Sequence, residues 1–295
     1  MARINLKGMG VALVTPFKAD KSIDFDALGT IIEYQIQNDV DYLVVLGTTS
    51  ENPTLDAHER QSIKDFVVER SAGRVPLVLG CGGNNTAAIV RELASIDTSK
   101  FSAILSVVPY YNKPSQEGIY QHYAAVAQAS PLPVILYNVP GRTGVNMTAE
   151  TTLRLASDFP DKIVGIKEAS GNMVQVDEII KHKHPDFMVI SGDDAVTFPL
   201  ITLGAVGVIS VIGNAFPREF SRMVRLALAG DYASARTIHH RFNDLFGLLF
   251  VDGNPAGVKC VLHAMGYCEN ELRLPLVPTR ITTHEKIRSV LDSLQ

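Results

Sequence analysis

Short runs of apolar residues recur along the chain and alternate with segments that have helical periodicity. The runs are rich in Val, Ile and Leu and nearly continuous in apolar character, which is typical of strands buried on both faces of a parallel sheet. The pattern predicts eight strands, at Val11–Phe17, Tyr42–Gly47, Leu77–Gly82, Ala103–Pro109, Val134–Asn138, Ile163–Glu168, Met188–Asp193 and Gly207–Val211.

The segments between these runs predict helices. Asp56 and Glu59 have the spacing of a capping box, and Gly73 marks the end of the helix that follows. Ser115 and Thr148 are further N-cap candidates. Strand–helix units repeated in this way predict an α/β protein of the (β/α)8 barrel type, the TIM barrel.

A doubly wound sheet is the competing fold. Such a sheet usually carries a Gly-rich phosphate loop after its first strand, whereas Val11–Phe17 leads into Lys18-Ala19-Asp20. Gly80–Gly83 lacks the G-x-G-x-x-G spacing, and we interpret it as close backbone packing at a strand end. The barrel is therefore favoured.

The pattern becomes purely helical after about residue 217. Pro217 suits the first turn of a helix, and the chain then holds more helix than barrel closure needs. We therefore expect a barrel in residues 1–216 and a closing helix with a C-terminal helical extension in residues 217–295. The predicted helices are Arg222–Ala229, Tyr232–Leu249, Ala256–Met265 and Thr283–Leu294.

Composition narrows the class of protein. The chain has 295 residues with a net charge of -4, and it has neither a basic stripe for nucleic acid nor an apolar run of membrane-spanning length. Cys81, Cys260 and Cys268 are an odd number of cysteines without a secretion signal, which indicates free thiols in a reducing, cytoplasmic compartment. No close metal-ligand spacing occurs, so we expect neither a metal nor a cofactor.

Lys167 lies in a predicted strand that is otherwise mostly apolar. Burying an ammonium without a partner is costly, and Glu168 is the adjacent candidate partner. Strand neighbours point to opposite faces, however, so Glu168 is poorly placed to pair with Lys167. Without a partner, the lysine would lose its proton more easily and become a nucleophile toward carbonyls. The lysine alone leaves both interpretations open.

Polar residues collect where the predicted strands end, the edge of a barrel that carries its chemistry. Each has an ordinary alternative: a turn, a packed tyrosine, a helix cap, a surface cation. Together they provide a lysine that can form an imine with a 2-oxo acid, a tyrosine that can move protons and an arginine that can bind a carboxylate. The segments are Gly47–Glu51, Pro109–Asn112, Tyr137–Gly144, Lys167, Ser191–Asp194 and Ile209–Ser210.

Four segments, in order and spacing, resemble the dihydrodipicolinate synthase family, and the resemblance covers essentially the whole chain. Arg142 favours the synthases over sister aldolases and dehydratases acting on sugar acids, whose loop typically lacks this arginine. The segments are Gly47–Glu51, Tyr110–Gly118, Tyr137–Thr143 and Gly165–Asn172, with Asn254-Pro255 and Leu272–Pro275 near the end.

The resemblance implies a lyase that joins pyruvate to L-aspartate 4-semialdehyde through a Schiff base on Lys167. The product, 4-hydroxy-tetrahydrodipicolinate, leads to lysine and diaminopimelate. Tyr137 would transfer protons at the imine, with Thr48 and Tyr111 as its relay partners. A non-catalytic paralogue that binds a small acid is the third hypothesis, which the presence of the lysine, tyrosine and threonines disfavours.

The resemblance also assigns binding roles. Thr49, Ile209 and Gly192 would lie at the pyruvate pocket, and Arg142 would hold the carboxylate of the semialdehyde. Because the family supplies Tyr111 from a neighbouring subunit, a dimer is the minimum active unit and a homotetramer, a dimer of dimers, is expected.

The family's lysine feedback site is only partly matched. Asn84 and Tyr110 agree with it. Ala57 and Arg60 stand where lysine-sensitive bacterial forms have histidines, and Ala88 stands where a glutamate would bind the effector's ammonium. Without that carboxylate, the positive charge is poorly compensated.

We therefore predict that free lysine inhibits this enzyme weakly or not at all. The measurement is activity titrated with lysine. Strong inhibition at sub-millimolar lysine would contradict the prediction.

Overall fold

The structure is a computed structural model that describes residues 4–294. Parallel strands β1 to β8 form a closed barrel in the order of the chain, which confirms the predicted (β/α)8 fold. The strands are β1 Gly8–Ala12, β2 Tyr42–Val45, β3 Leu77–Gly80, β4 Ala103–Val107, β5 Val134–Asn138, β6 Ile163–Glu168, β7 Met188–Ser191 and β8 Gly207–Ser210.

At least one helix follows each strand, and further helices form the predicted C-terminal extension. The helices are α1 Phe25–Gln37, α2 Ala57–Ser71, α3 Thr86–Leu93, α4 Gln116–Ala129, α5 Pro140–Thr143, α6 Ala149–Asp158, α7 Met173–His182, α8 Asp194–Leu203, α9 Pro217–Leu228, α10 Tyr232–Arg241, α11 Asn243–Leu248, α12 Ala256–Ala264 and α13 Ile281–Leu294.

The helix starts follow the predicted caps. The Asp56 carboxylate accepts from the Glu59 N–H at 2.8 Å, and the Glu59 carboxylate accepts from the Asp56 N–H at 3.0 Å, which completes a capping box on α2. Ser115 and Thr148 cap α4 and α6 through their hydroxyl groups. Each cap satisfies a backbone N–H that has no partner inside its helix.

The first strand was predicted too late in the chain, at Val11–Phe17. The strand ends at Ala12, although the next residues remain buried. The Val14 N–H donates to the Asn214 side chain at 3.2 Å instead of to a neighbouring strand. Pro16 has no N–H to offer to a sheet. The apolar run was therefore correctly predicted as buried and wrongly predicted as strand.

The true start of β1 lies in the stretch Gly8-Met9-Gly10, in which two glycines flank a single apolar residue. A methyl group on Gly10 would lie 2.0 Å from Cε2 of Tyr42, and one on Gly8 would lie 2.2 Å from Oδ2 of Asp41. Glycine is thus required by the close approach of β2 and the residue before it. A search for apolar alternation misses such a strand.

Other boundaries differ less. β5 and β6 have the predicted bounds, whereas β2, β3, β4, β7 and β8 end one to two residues early. The single helix predicted at Tyr232–Leu249 is divided at Phe242 into α10 and α11. Phe242 is buried against Phe216, with ring centroids 5.0 Å apart. This packing occurs at the point where the helix is interrupted.

Contacts group the described chain into two compact units. One holds residues 4–7 and Pro76–Ile209, with β3 to β7 and most of β8. The other holds Gly8–Val75 and residues 210–294, with β1, β2 and the C-terminal helices. The predicted division after residue 216 stays a prediction. Between residues 4 and 294, no helix is both long and apolar enough to cross a membrane.

We predict that Gly10→Ala lowers the free energy of unfolding by about 1–3 kcal/mol or more, because the added methyl overlaps the Tyr42 ring. The control is Gly247→Ala in α11, where a methyl meets nothing within 4 Å. This control should be neutral or stabilising by about 0.4–1 kcal/mol. Urea unfolding measures both, and equal stabilities for the two variants would contradict the prediction.

Candidate active site

Lys167 is buried beside Tyr137. The register of β5 and β6 sets these two residues opposite one another, so their side chains leave the sheet on the same face. Lys167 is 5% exposed, and its Nζ lies 4.4 Å from the centroid of the Tyr137 ring. The Nζ atom forms no hydrogen bond or ion pair with any residue from 4 to 294. Of the two interpretations of this lysine, the unpaired amine is the one present.

Glu168 has other partners, as the alternation along β6 predicted. Its carboxylate accepts from the Asn138 amide at 3.2 Å, the Gln175 amide at 3.1 Å and the Ser170 N–H at 2.9 Å. Burial raises the pKa of Glu168, and these hydrogen bonds act in the opposite direction. Asn138 and Glu168 are also neighbours in register, so the network fixes the ends of β5 and β6 next to the Tyr137–Lys167 pair.

Gly192 makes room for the lysine side chain. A methyl group at this position would lie 2.9 Å from Cε of Lys167 and 2.7 Å from Cβ of Ala169. The Gly192 N–H also donates to the Glu168 carbonyl at 2.8 Å, which holds the backbone against the lysine strand. Ile209 is 1% exposed in β8.

Two exposed side chains lie after strand ends, Tyr111 after β4 and Arg142 after β5. Arg142 lies in the short helix α5, and no carboxylate of the described chain pairs with its guanidinium. Tyr111 is 87% exposed and has a positive φ of 74°, with its N–H donating to the Thr143 carbonyl at 3.3 Å. A tyrosine held so far out on strained backbone is not packed within this chain.

The threonines lie in the other unit, in a 3-10 turn that follows β2. Ser50 closes this turn, because its hydroxyl donates to the Gly47 carbonyl at 2.7 Å. Thr48 is partly exposed, and Thr49 is buried. The Thr49 hydroxyl oxygen accepts from the side-chain amide of Asn254 at 3.0 Å.

Glu51, which ends this turn, takes part in a buried ion pair that the sequence analysis missed. Its carboxylate is 2.5 Å from Nζ of Lys259, and both side chains are fully buried. Lys259 also donates to the Glu271 carbonyl at 2.9 Å. Burial lowers the pKa of Lys259, and the negative charge of Glu51 opposes that shift. The available signal was a lysine inside the apolar run of α12.

Arg273 completes this cluster. Its N–H donates to the second oxygen of Glu51 at 3.0 Å, and its guanidinium binds both oxygens of Glu59 at 2.7 and 2.6 Å. The Phe17 ring lies against both cations, 4.2 Å from Nζ of Lys259 and 4.5 Å from Cζ of Arg273. The turn that carries the threonines is thus fixed by charges from the C-terminal extension.

The residues matched to an effector site lie in both units. Asn84 donates to the Tyr110 carbonyl at 3.2 Å, and Tyr110 is 40% exposed. Ala88 lies in the first turn of α3. In the other unit Ala57 begins α2, and the Arg60 guanidinium donates to a backbone carbonyl at 2.9 Å. Residues 4–294 contain no group of three or more His, Cys, Asp or Glu side chains arranged to hold a metal.

Comparison with known proteins gives one family. The model described as the dihydrodipicolinate synthetase family matches residues 5–294. Over 294 residues the chain is 69% identical to the 4-hydroxy-tetrahydrodipicolinate synthase of Parabacteroides distasonis, covering 100% of this chain and 99% of that relative.

Solved structures agree with this result. The dihydrodipicolinate synthase of Aquifex aeolicus is 43% identical to this chain, with a TM-score of 0.94. The match covers 98% of this chain and 98% of the other. The chloride-inhibited dihydrodipicolinate synthase of Acinetobacter baumannii, solved with pyruvate, is 38% identical with a TM-score of 0.95. That match covers 98% of this chain and 99% of the other.

We predict that Lys259→Met destabilises the protein by about 3–5 kcal/mol, because Glu51 keeps a buried charge without its partner. Adding Glu51→Leu to Lys259→Met should recover much of the loss, since no uncompensated charge is then buried. Denaturant unfolding of both variants measures the difference.

The control is an exposed ion pair. Arg154 and Glu117 are 2.8 Å apart with side chains 49% and 59% exposed, so Arg154→Met should leave the free energy of unfolding nearly unchanged. The explanation fails if Lys259→Met is as mild as Arg154→Met.

Proposed function

Because the chain belongs to the dihydrodipicolinate synthetase family, we propose that it catalyses the reaction of a 4-hydroxy-tetrahydrodipicolinate synthase, a lyase. Pyruvate condenses with L-aspartate 4-semialdehyde in the cytoplasm, in the biosynthesis of diaminopimelate and lysine. The observation that carries the proposal is a buried lysine amine, Lys167, that has no carboxylate partner and lies 4.4 Å from the ring centroid of Tyr137.

The proposed first step is an imine. Nζ of Lys167 attacks the C2 carbonyl of pyruvate, and the carbonyl oxygen leaves as water after proton transfer. The protonated imine withdraws electrons from the adjacent methyl carbon, which loses a proton and becomes the enamine carbon. That carbon attacks the aldehyde carbon of the second substrate, and the imine is later hydrolysed or displaced to release the amine.

Tyr137 is the proposed proton carrier for these steps, with Thr48 and Tyr111 as relay partners. Tyr137 is buried and the centroid of its ring lies 4.4 Å from Nζ of Lys167, which supports this role. Thr48 is included in this proposal because it lies in Gly47–Glu51, one of the segments that resemble the family.

The pyruvate carboxylate would bind Thr49 through its hydroxyl and N–H, near the backbone of Ile209. Gly192 supports the same pocket by leaving the space that the lysine side chain occupies. A relative of the same fold has been solved with pyruvate, which fits a small 2-oxo acid as the first substrate.

Arg142 is the proposed carboxylate site for the second substrate. Its guanidinium is exposed and unpaired within the described chain, so it is available for a bidentate contact. This residue favours aspartate semialdehyde over the sugar acids of the sister aldolases.

We also propose that the active form is a homotetramer built as a dimer of dimers. Tyr111 supports this assembly, because an 87% exposed tyrosine on left-handed backbone offers a large contact surface to a second subunit. Asn84 and Tyr110 would contribute to an effector pocket of low lysine affinity.

We predict that borohydride reduction in the presence of pyruvate places a stable adduct on Lys167, because hydride traps an imine on that amine. Mass mapping of the digested protein locates the adduct. Lys167→Ala should remain folded, give no adduct and lose nearly all turnover, whereas the wild type should consume aspartate semialdehyde.

Buried Lys259 is the internal control in the same digest, because its amine is engaged by Glu51 and it should stay unmodified. An adduct elsewhere than Lys167 contradicts the imine mechanism. An adduct on Lys167 with turnover only of sialic or 2-keto-3-deoxy acids would keep the mechanism and reject the proposed second substrate.

A further inference from the structure

Besides its contacts to the Glu51 carboxylate, the C-terminal extension reaches the threonine turn through a hydrogen bond between two neutral side chains. Asn254, between α11 and α12, is 5% exposed, and its Nδ2 donates to Oγ1 of Thr49 at 3.0 Å. Thr49 is itself 2% exposed. Both partners are therefore shielded from water, where a hydrogen bond has its strongest orienting effect.

This contact decides where the hydroxyl proton of Thr49 points. A threonine hydroxyl has one hydrogen to donate and lone pairs to accept with. Since a lone pair of Oγ1 is occupied by Asn254, the O–H bond must point away from that amide. No group between residues 4 and 294 accepts this proton. Thr49 therefore holds a buried donor that is free for a ligand.

The other end of the Asn254 carboxamide supports a functional role for the contact with Thr49. Its Oδ1 is buried and has no hydrogen-bond partner in the described chain. An unpartnered buried oxygen costs stability, and the single hydrogen bond that the amide makes to Thr49 offsets that cost only in part. The donor toward Thr49 is retained despite that cost.

The backbone that carries Asn254 is held in place. Lys259, in the first turns of α12, binds Glu51 at 2.5 Å, and its N–H donates to the Pro255 carbonyl at 2.9 Å. Asn254 and Lys259 thus contact the same turn, one at Thr49 and the other at Glu51. The ion pair fixes the distance over which the amide reaches Thr49.

We propose that Asn254 is a positioning residue that makes Thr49 a dedicated hydrogen-bond donor and so tunes the site for the carboxylate of a 2-oxo acid. This inference rests on the proposed function. A carboxylate is acceptor-only, so a pre-aimed donor favours it over a ligand group that must itself donate.

The test compares Asn254→Ala with Asn254→Asp. Alanine frees the hydroxyl to rotate, and aspartate places an acceptor that captures the Thr49 proton and adds a negative charge. We expect the KM for pyruvate to rise about tenfold in Asn254→Ala and further in Asn254→Asp. The kcat and the KM for aspartate semialdehyde should stay within about twofold, a split that a general loss of structure does not produce.

A double-mutant cycle tests whether the effect passes through Thr49. In a Thr49→Val background, which already lacks the hydroxyl, Asn254→Ala should raise the KM for pyruvate no further. Additive increases would overturn the proposal, because Asn254 would then act independently of Thr49.

Asn243→Ala, at an exposed asparagine that begins α11, is the matched control and should leave all constants unchanged. Circular dichroism checks folding, and the nearly isosteric Asn254→Asp keeps the test valid if the alanine variant does not fold. Borohydride trapping across a pyruvate titration gives a half-saturation independent of turnover.

The trapping experiment separates the two failures. Absence of a Lys167 adduct in the wild type would reject the proposed function. A wild-type adduct with the same half-saturation in both Asn254 variants would reject only the role of Asn254.

Discussion

Burial of a lysine amine is the constraint on which the candidate chemistry depends. Two lysines are buried among residues 4–294, and their surroundings differ. Lys259 is fully buried but 2.5 Å from the Glu51 carboxylate, so its charge is compensated and serves to hold a turn. Lys167 is 5% exposed, has no ion-pair partner in the described chain, and faces a tyrosine ring. The paired lysine holds a turn in place, whereas the unpaired one is the proposed nucleophile.

The separation of these roles follows from strand geometry. Successive residues of β6 point to opposite faces, so Lys167 lies with Tyr137 while Glu168 bonds to Asn138 and Gln175 on the other face. A slip of one residue in the register would exchange the two faces and bring the carboxylate to the position of the amine. The polar network around Glu168 opposes such a slip, and it therefore keeps Lys167 on its face of the sheet without contacting its amine.

The sequence predicted those parts of the structure that depend on local pattern. β5 and β6 had the right bounds because each starts as an apolar run and ends at polar residues, and Asp56 capped α2 because its spacing to Glu59 is local. The start of β1 was missed, because Gly10 is selected by the ring of Tyr42 and glycine carries no apolar signal. Long-range partners were missed for a related reason. Periodicity indicates that a position is buried, but it does not indicate which distant side chain pairs with a charged residue buried there.

The C-terminal extension makes long-range contacts that the sequence pattern did not predict. The extension does more than cover the chain's apolar surface, because Lys259 and Asn254 contact the turn after β2 at Glu51 and Thr49. The Lys259–Glu51 ion pair holds the backbone of the turn in position, and the Asn254 amide sets the direction of the Thr49 hydroxyl. A loop at the end of a strand would otherwise sample several conformations, at an entropic cost each time a ligand binds. By holding the turn before a ligand arrives, the extension lowers that cost.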